Sequence, residues 1–157
     1  FADGENAIEY DGQQLSIPGK ELGKYDFTRI PNGLPSIEHR MSLLWTFGVS
    51  TGKLSVQKFV KLTASNPARI FGLYPRKGAL MPGSDADIVL WDPSCKHTIS
   101  INNSHMRTDH ELWEGIEVKG YPLQVYLRGH LLVDRDKWLG NPGFGQFIHR
   151  QADAQIL

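Results

Sequence analysis

Hydrophobic and polar positions along this chain fall into three successive rhythms, and each predicts a different kind of element. Residues 1 to about 35 show no sustained period and are rich in Gly, Pro, Asp and Asn, with turn signals at Pro18-Gly19 and Asn32-Gly33. This part is expected to be mostly loop, and so long an irregular stretch is uncommon unless it is functional or lacks its partners. From Ser36 the grammar becomes helical. Ile37, Met41, Leu44 and Gly48 follow helical steps, with Pro35-Ser36 as the start and Gly48 as the stop. Gly52 then breaks the chain, and Ser55 caps a second predicted helix whose Val56, Phe59, Val60 and Thr63 share a face. Asn66-Pro67 reads as a cap and a proline at the first position of a third, short helix through Ile70, ending at Gly72. After Pro75 the rhythm is that of strands. Residues 86–91 form an apolar run bounded by Asp85 and Asp92-Pro93, His97-Thr98-Ile99 is a second candidate, and residues 123–133 predict a hairpin turning at Arg128-Gly129-His130. The tail, with Gly140, Pro142, Gly143 and Gly145, is predicted irregular.

Composition narrows the partners. The chain has 157 residues, 40% of them hydrophobic, enough for one modest core. Lys plus Arg and Asp plus Glu each number 17, and the charges are scattered, so neither nucleic acid nor an anionic membrane is an expected partner. Apolar runs last only a handful of residues, too few to span a bilayer. The single cysteine, Cys95, rules out an intrachain disulfide and fits a reducing compartment, so a cytoplasmic location is expected. The chain starts at Phe1 without the features of a signal peptide. Its few strands would also have unpaired edges if they stood alone. Both observations lead to the expectation of a piece of a longer protein.

Candidate chemistry is sparse. His105, Asp109 and His110 could ligate a metal or relay a proton. His105 and His110 are five residues apart, however, which on a helix separates them by about 140°. A surface turn is the preferred reading, and His39, His97, His130 and His149 are read as structural or solvated. Cys95 has no base arranged beside it, and no nucleophile elbow, phosphate loop or dinucleotide fingerprint is present. Asp85 and Asp87 could be paired acid-base carboxylates, but an acidic turn whose side chains cap backbone N–H groups explains the spacing better. At Asn32-Gly33 a loop amide stands beside a glycine that permits close backbone approach, an arrangement suited to a planar cyclic amide. On spacing alone, a simple turn remains the better reading.

Two segments resemble known families. Residues 77–93, from Lys77-Gly78 through Pro82-Gly83-Ser84-Asp85-Ala86-Asp87 to Asp92-Pro93, resemble a run found across cyclic amidohydrolases and related metal-dependent deaminases, where the chain leaves the catalytic barrel for a small β domain. The second resemblance is narrower. Residues 20–33 (Lys20 through Ile30-Pro31-Asn32-Gly33), Ile37-Glu38-His39-Arg40-Met41, residues 70–78, Trp113-Glu114-Gly115 and residues 143–148 are similar to the hydantoinase and dihydropyrimidinase branch, D-hydantoinases included.

The resemblance implies a mixed α/β fragment: the last helices of a metal-dependent (β/α)₈ barrel and the C-terminal part of a small β-sandwich. On that division residues 1–75 end the barrel, 76–133 supply half of the composite sandwich, and 134–157 form an irregular tail. The implied activity is hydrolysis of cyclic amide bonds in hydantoins or dihydropyrimidines by a hydroxide that two zinc ions activate. In the family a carboxylated lysine, histidines and an aspartate hold the zinc ions. All of these lie upstream of the resembling region, so no metal ligand and no catalytic residue is expected in this chain, and alone it is expected to be inactive. Residues 1–19 match the family poorly, and the aspartate is transferred to neither Asp3 nor Asp11. The residues that do carry over are Asn32, which would hold the substrate ring through its main chain, and the adjoining Gly33. A cyclic diamide substrate and a homo-oligomeric parent, dimer or tetramer, are implied as partners. The alternative is a nonenzymatic dihydropyrimidinase-like scaffold or subunit-interaction module. Such relatives do not keep the asparagine, so Asn32 favours the catalytic branch.

Overall fold

A computed structural model describes residues 6–10, 13–17, 20–30, 33–106 and 108–150, with the backbone alone for 6–10, 14–17, 20 and 21. The chain divides into two compact units, Phe1–Arg40 with His97–Val118, and Met41–Lys96 with Lys119–Leu157. It is a mixed α/β chain in which no described helix is long and apolar enough to cross a membrane.

The first unit opens with strands β1 (Asn6–Tyr10) and β2 (Gln13–Ile17), an antiparallel pair whose register runs from Asn6 opposite Ile17 to Tyr10 opposite Gln13. The expectation of a mostly loop stretch over residues 1–35 misses this pair. Asp11-Gly12, the dipeptide between the two runs, is a strong hairpin signal. Single 3-10 turns follow at Lys20–Gly23 and Phe27–Arg29. The unit's other part is an excursion between two long strands. Its neck is closed by Ile99 N–H donating to the Ile116 carbonyl (2.9 Å) and Gly115 N–H donating to that of Ile99 (2.9 Å). Ile99 and Val118 are the most deeply buried apolar side chains described.

In the second unit, α1 (Arg40–Leu44) runs into a π turn at Trp45–Val49. Gly48 does not stop this helix. It lies buried inside it, where a Cβ would come within 2.7 Å of Leu54. Ser55 caps α2 (Val56–Val60) as its side chain predicts, accepting from Lys58 N–H at 3.1 Å. The third helix is not separate. From α2 the chain passes through a second π turn (Lys61–Ser65) directly into α3 (Asn66–Ile70), and Ser65 and Asn66 have ordinary helical dihedrals. Pro67 lacks the N–H that an uninterrupted α-helix would use, and the widened turn before it accommodates that loss. Ala68 then packs under Gly78, where an added Cβ would approach to 2.6 Å, and Ser65 Oγ donates to the Gly78 carbonyl at 3.0 Å.

The buried face of this helical run is narrower than its periodicity suggests. Phe59 is buried, but Val56 and Val60 are exposed. Phe59 meets Trp45 edge-on at 5.1 Å, and Trp91 lies 5.5 Å from Trp45 and 5.8 Å from Phe59. These three rings form the unit's centre, and such pairs contribute about 0.5–1.5 kcal/mol each beyond the area they bury.

A four-stranded sheet in the order β3-β4-β5-β6 supplies the rest: β3 (Ile88–Thr98), β4 (Glu117–Leu127), β5 (His130–Asp134) and β6 (Lys137–Trp138). The two runs predicted at 86–91 and 97–99 are thus one strand through Pro93. At the end of the sheet order β3 is an edge strand, where proline is tolerated. The Asp92 carboxylate also accepts Ser94 N–H (2.8 Å) and Cys95 N–H (3.2 Å) just past the proline. The predicted β4–β5 hairpin is present, with Leu127 opposite His130 and a bulge between Val125 and Tyr126. Its two turn residues, Arg128 (φ 48) and Gly129 (φ 80), both have positive φ, as a type I′ turn requires. Arg128 is held in that conformation from three sides. Its N–H donates to Asp87 Oδ1 (2.9 Å), its Nη2 to the Phe144 carbonyl (2.6 Å), and its guanidinium lies 4.4 Å from the Phe144 ring centre.

Candidate functional site

The loop singled out by the sequence is built from residue 20 onward. Asp26 caps the Phe27–Arg29 turn, accepting from Thr28 N–H (3.1 Å) and Thr28 Oγ1 (2.6 Å). Ile30 closes back on that turn, its N–H donating to the Phe27 carbonyl at 3.2 Å. It also crosses Gly23 so closely that a Cβ there would lie 2.5 Å from Ile30 Cγ1. Ile30 is thereby fixed at the base of the loop. Asn32, the residue expected to face substrate, lies outside the described residues, as does Pro31. Gly33 is exposed at φ +114, and nothing stands within 4 Å of where its Cβ would be. Its backbone takes a conformation that suits glycine and faces open space. After Pro35 the chain enters a helical turn, with Arg40 N–H donating to the Ser36 carbonyl at 3.2 Å.

That turn carries Glu38 and His39, and each is paired with a residue of the excursion. Glu38 Oε1 contacts His105 Nδ1 at 2.6 Å, while Glu38 Oε2 accepts His105 N–H (2.8 Å) and Ser104 Oγ (3.1 Å). His39 Nε2 contacts Glu111 Oε2 at 3.0 Å, and Glu111 Oε1 accepts Trp113 N–H at 3.1 Å. Burial pushes the Glu38 carboxyl up, but hydrogen bonds from the His105 ring and backbone, the imidazole's charge and Ser104 outweigh it and leave the group below its ordinary value. These partners are 67 and 72 residues apart, and no local pattern announces them.

The histidine-rich stretch separates in the structure. His105 turns to Glu38, whereas His110 Nδ1 contacts its neighbour Asp109 Oδ1 at 3.0 Å. Among the described residues no three His, Cys, Asp or Glu side chains converge as a metal-ligand set. A zinc centre therefore does not fit the donors described here. Asp87 does accept a backbone N–H, that of Arg128, but the periodicity missed Lys77. Its ammonium bridges Asp85 at 2.9 Å and Asp87 at closer range, and Arg76 Nε adds a 3.1 Å contact to Asp85. The Lys77 hydrogen bond holds the Asp85 carboxyl below its ordinary value against the opposing effect of burial, with Arg76 assisting. Burial lowers the Lys77 ammonium, but its hydrogen bonds to Asp87 and Asp85 prevail and its pKa is raised. The signal for this network was the lysine ahead of the Gly78 and Gly83 turns, within reach of both carboxylates. Cys95 is partly buried on β3.

Comparison with known proteins agrees with the resemblance. The amidohydrolase family model matches residues 28–132, and the chain belongs to that family. It is 43% identical over 138 residues to a D-hydantoinase from Geobacillus stearothermophilus, covering 88% of this chain and 29% of that protein. With a dihydropyrimidinase from Rattus norvegicus the identity is 44% over 138 residues, covering 88% of this chain and 27% of the relative. Among solved structures, a D-hydantoinase (dihydropyrimidinase) from a Thermus species superposes with a TM-score of 0.78 at 42% identity, covering 88% of this chain and 30% of that one. The chain thus spans less than a third of the length of these relatives.

Proposed function

We propose that this chain is the C-terminal segment of a hydrolase that opens cyclic amide bonds in hydantoins or dihydropyrimidines. In that reaction the ring carbonyl carbon gains a hydroxyl, the ring C–N bond breaks, and the nitrogen takes a proton. The observation carrying this reading is the 43–44% identity to a D-hydantoinase and a dihydropyrimidinase across 88% of the chain. Both relatives are named as enzymes, so the nonenzymatic scaffold is not favoured. Hydantoinases of this family are metal-dependent. In this reading the zinc ions and their ligands would belong to the part of the family fold outside this chain. No chemical step is assigned to its residues.

Its contribution is substrate recognition and structure. In this reading Asn32 and Gly33 would offer main-chain N–H and C=O groups to a flat ring that carries the complementary set. The open, positive-φ backbone of Gly33 supports this role. Residues 1–75 would end the barrel, 76–133 would form half of the composite β-sandwich, and 134–157 a tail, in a homo-oligomeric parent.

A chimera tests the proposal: residues 20–150 replace the matching segment of the Geobacillus stearothermophilus D-hydantoinase, and ring opening is assayed on hydantoin and dihydrouracil. Activity is expected. Asn32→Ala should retain most of it, because the main-chain contacts persist, whereas Asn32→Pro, which lacks the N–H, should lose binding. A folded, metal-loaded chimera without activity on either ring would sink the proposal.

A further inference from the structure

We infer that Glu38, His39, His105 and Glu111 form a crossed clasp that positions the Gly33–Arg40 segment, and so the Gly33 backbone proposed to face substrate. The role of Gly33 rests on the function proposed above; the clasp itself does not.

Among the described residues, little apolar packing holds the segment. Leu34 is 70% exposed and Ile37 is 73% exposed, so their apolar surface contributes little anchoring. His39 is the buried side chain of this stretch, and its partner Glu111 is fully enclosed, with side-chain exposures of 4% and 0%. The anchor is polar, and it is double. The segment supplies a carboxylate at 38 and an imidazole at 39; the excursion answers with an imidazole at 105 and a carboxylate at 111. Two tethers from adjacent residues restrain rotation of the segment as well as its displacement.

Every carboxylate oxygen of the clasp is engaged. Glu38 Oε2 takes the His105 N–H and the Ser104 hydroxyl, and Glu111 Oε1 takes the Trp113 N–H. The remaining oxygens need a proton on His105 Nδ1 and on His39 Nε2. A buried carboxylate–imidazole pair such as Glu111–His39 adds little net stability over apolar packing, but removing one partner strands the other. What the arrangement supplies is a defined position.

Amide hydrogen exchange on the intact chain, with ¹⁵N imidazole spectra, tests the clasp. His105 should carry its proton on Nδ1 and His39 on Nε2. Glu38→Gln and Glu111→Gln should each speed exchange across residues 33–40 by about tenfold or more, the scale of a lost hydrogen bond to a charged group. Exchange in the 124–134 hairpin should stay unchanged. If Glu111→Gln unfolds the chain, the more accessible Glu38→Gln serves as the readout, and Glu38→Asp should restore part of the protection. Unaltered exchange at 33–40 in Glu38→Gln, or the opposite ring tautomers, would overturn the clasp. In an active chimera Glu38→Gln should raise KM about tenfold with kcat nearly constant, as loss of uniform binding does. An unchanged KM there would overturn the positioning role. An inactive chimera would instead count against the proposed function, leaving the exchange result to decide the clasp.

Discussion

Replacing Gly120 with alanine should damage this fold more than the same change at Gly83, a glycine of similar φ that faces open space. Gly120 lies in β4 at φ +87, and a Cβ there would stand 2.4 Å from Trp45 Cδ1, 2.7 Å from Cγ and 2.9 Å from Nε1. Two costs combine. A non-glycine residue in left-handed backbone costs about 1–2 kcal/mol. Forcing a methyl into a packed site adds about 1–3 kcal/mol. Trp45 has little room to yield, because Phe59 and Trp91 flank its ring. Gly83 is the matched control: its φ is +92, and nothing lies within 4 Å of its Cβ position. Gly83→Ala carries the backbone cost alone, and the entropy removed from the unfolded chain is shared by both variants. The difference between them therefore isolates the contact with Trp45, about 1–3 kcal/mol. For a chain of this size each kcal/mol moves the thermal midpoint by about 2–4 °C. Urea unfolding followed by tryptophan fluorescence, with melting by circular dichroism, measures both variants. If Gly120→Ala lost no more stability than Gly83→Ala, the close approach of β4 to Trp45 would be refuted.

Ser55→Ala removes the side-chain acceptor for Lys58 N–H and should cost about 1 kcal/mol, read as a lower urea midpoint with unchanged slope. The Lys77 network gives a signed pH dependence. The Asp85 carboxyl is depressed, so its contribution is present above its ordinary value of 3.8 and is lost as pH falls through the lower folded value. Lys77 is raised, so its contribution is present below its ordinary value of 10.5 and is lost as pH rises through the higher folded value. Lys77→Met should accordingly lower the melting temperature between those limits and narrow the gap from the parent outside them. A constant gap from strong acid to strong alkali would contradict the assignment.

What could be read from the sequence was what local chemistry decides. The β4–β5 hairpin was legible because Leu123 to Leu127 alternates, Leu131 to Val133 is apolar and Arg128-Gly129 can adopt the turn between them. The Ser55 cap was legible because one side chain meets an N–H three residues on. Elements decided by context were not. Asn66-Pro67 looks like a helix start until a widened turn absorbs the proline, and Pro93 looks like a strand end until β3 takes the edge of the sheet. The β1–β2 pair was overlooked because its runs are short and mix polar with apolar positions. Of the site, the Gly33 backbone followed from its neighbours. Glu38 and His39 looked unremarkable, because their partners lie far along the chain and only folding brings them together.

The π turn at Lys61–Ser65 carries a consequence for how this region tolerates changes in length. A π turn holds one residue more than the α turn it replaces, and each helical residue advances the face by about 100°. Deleting a residue there would close the widened turn to an ordinary one of similar rise and keep Ala68 facing Gly78, against which it packs. Within residues 61–65 a one-residue deletion is therefore absorbed by the turn, at the cost of the room it gives Pro67. The same deletion within Val56–Val60 would instead rotate everything downstream by about 100°.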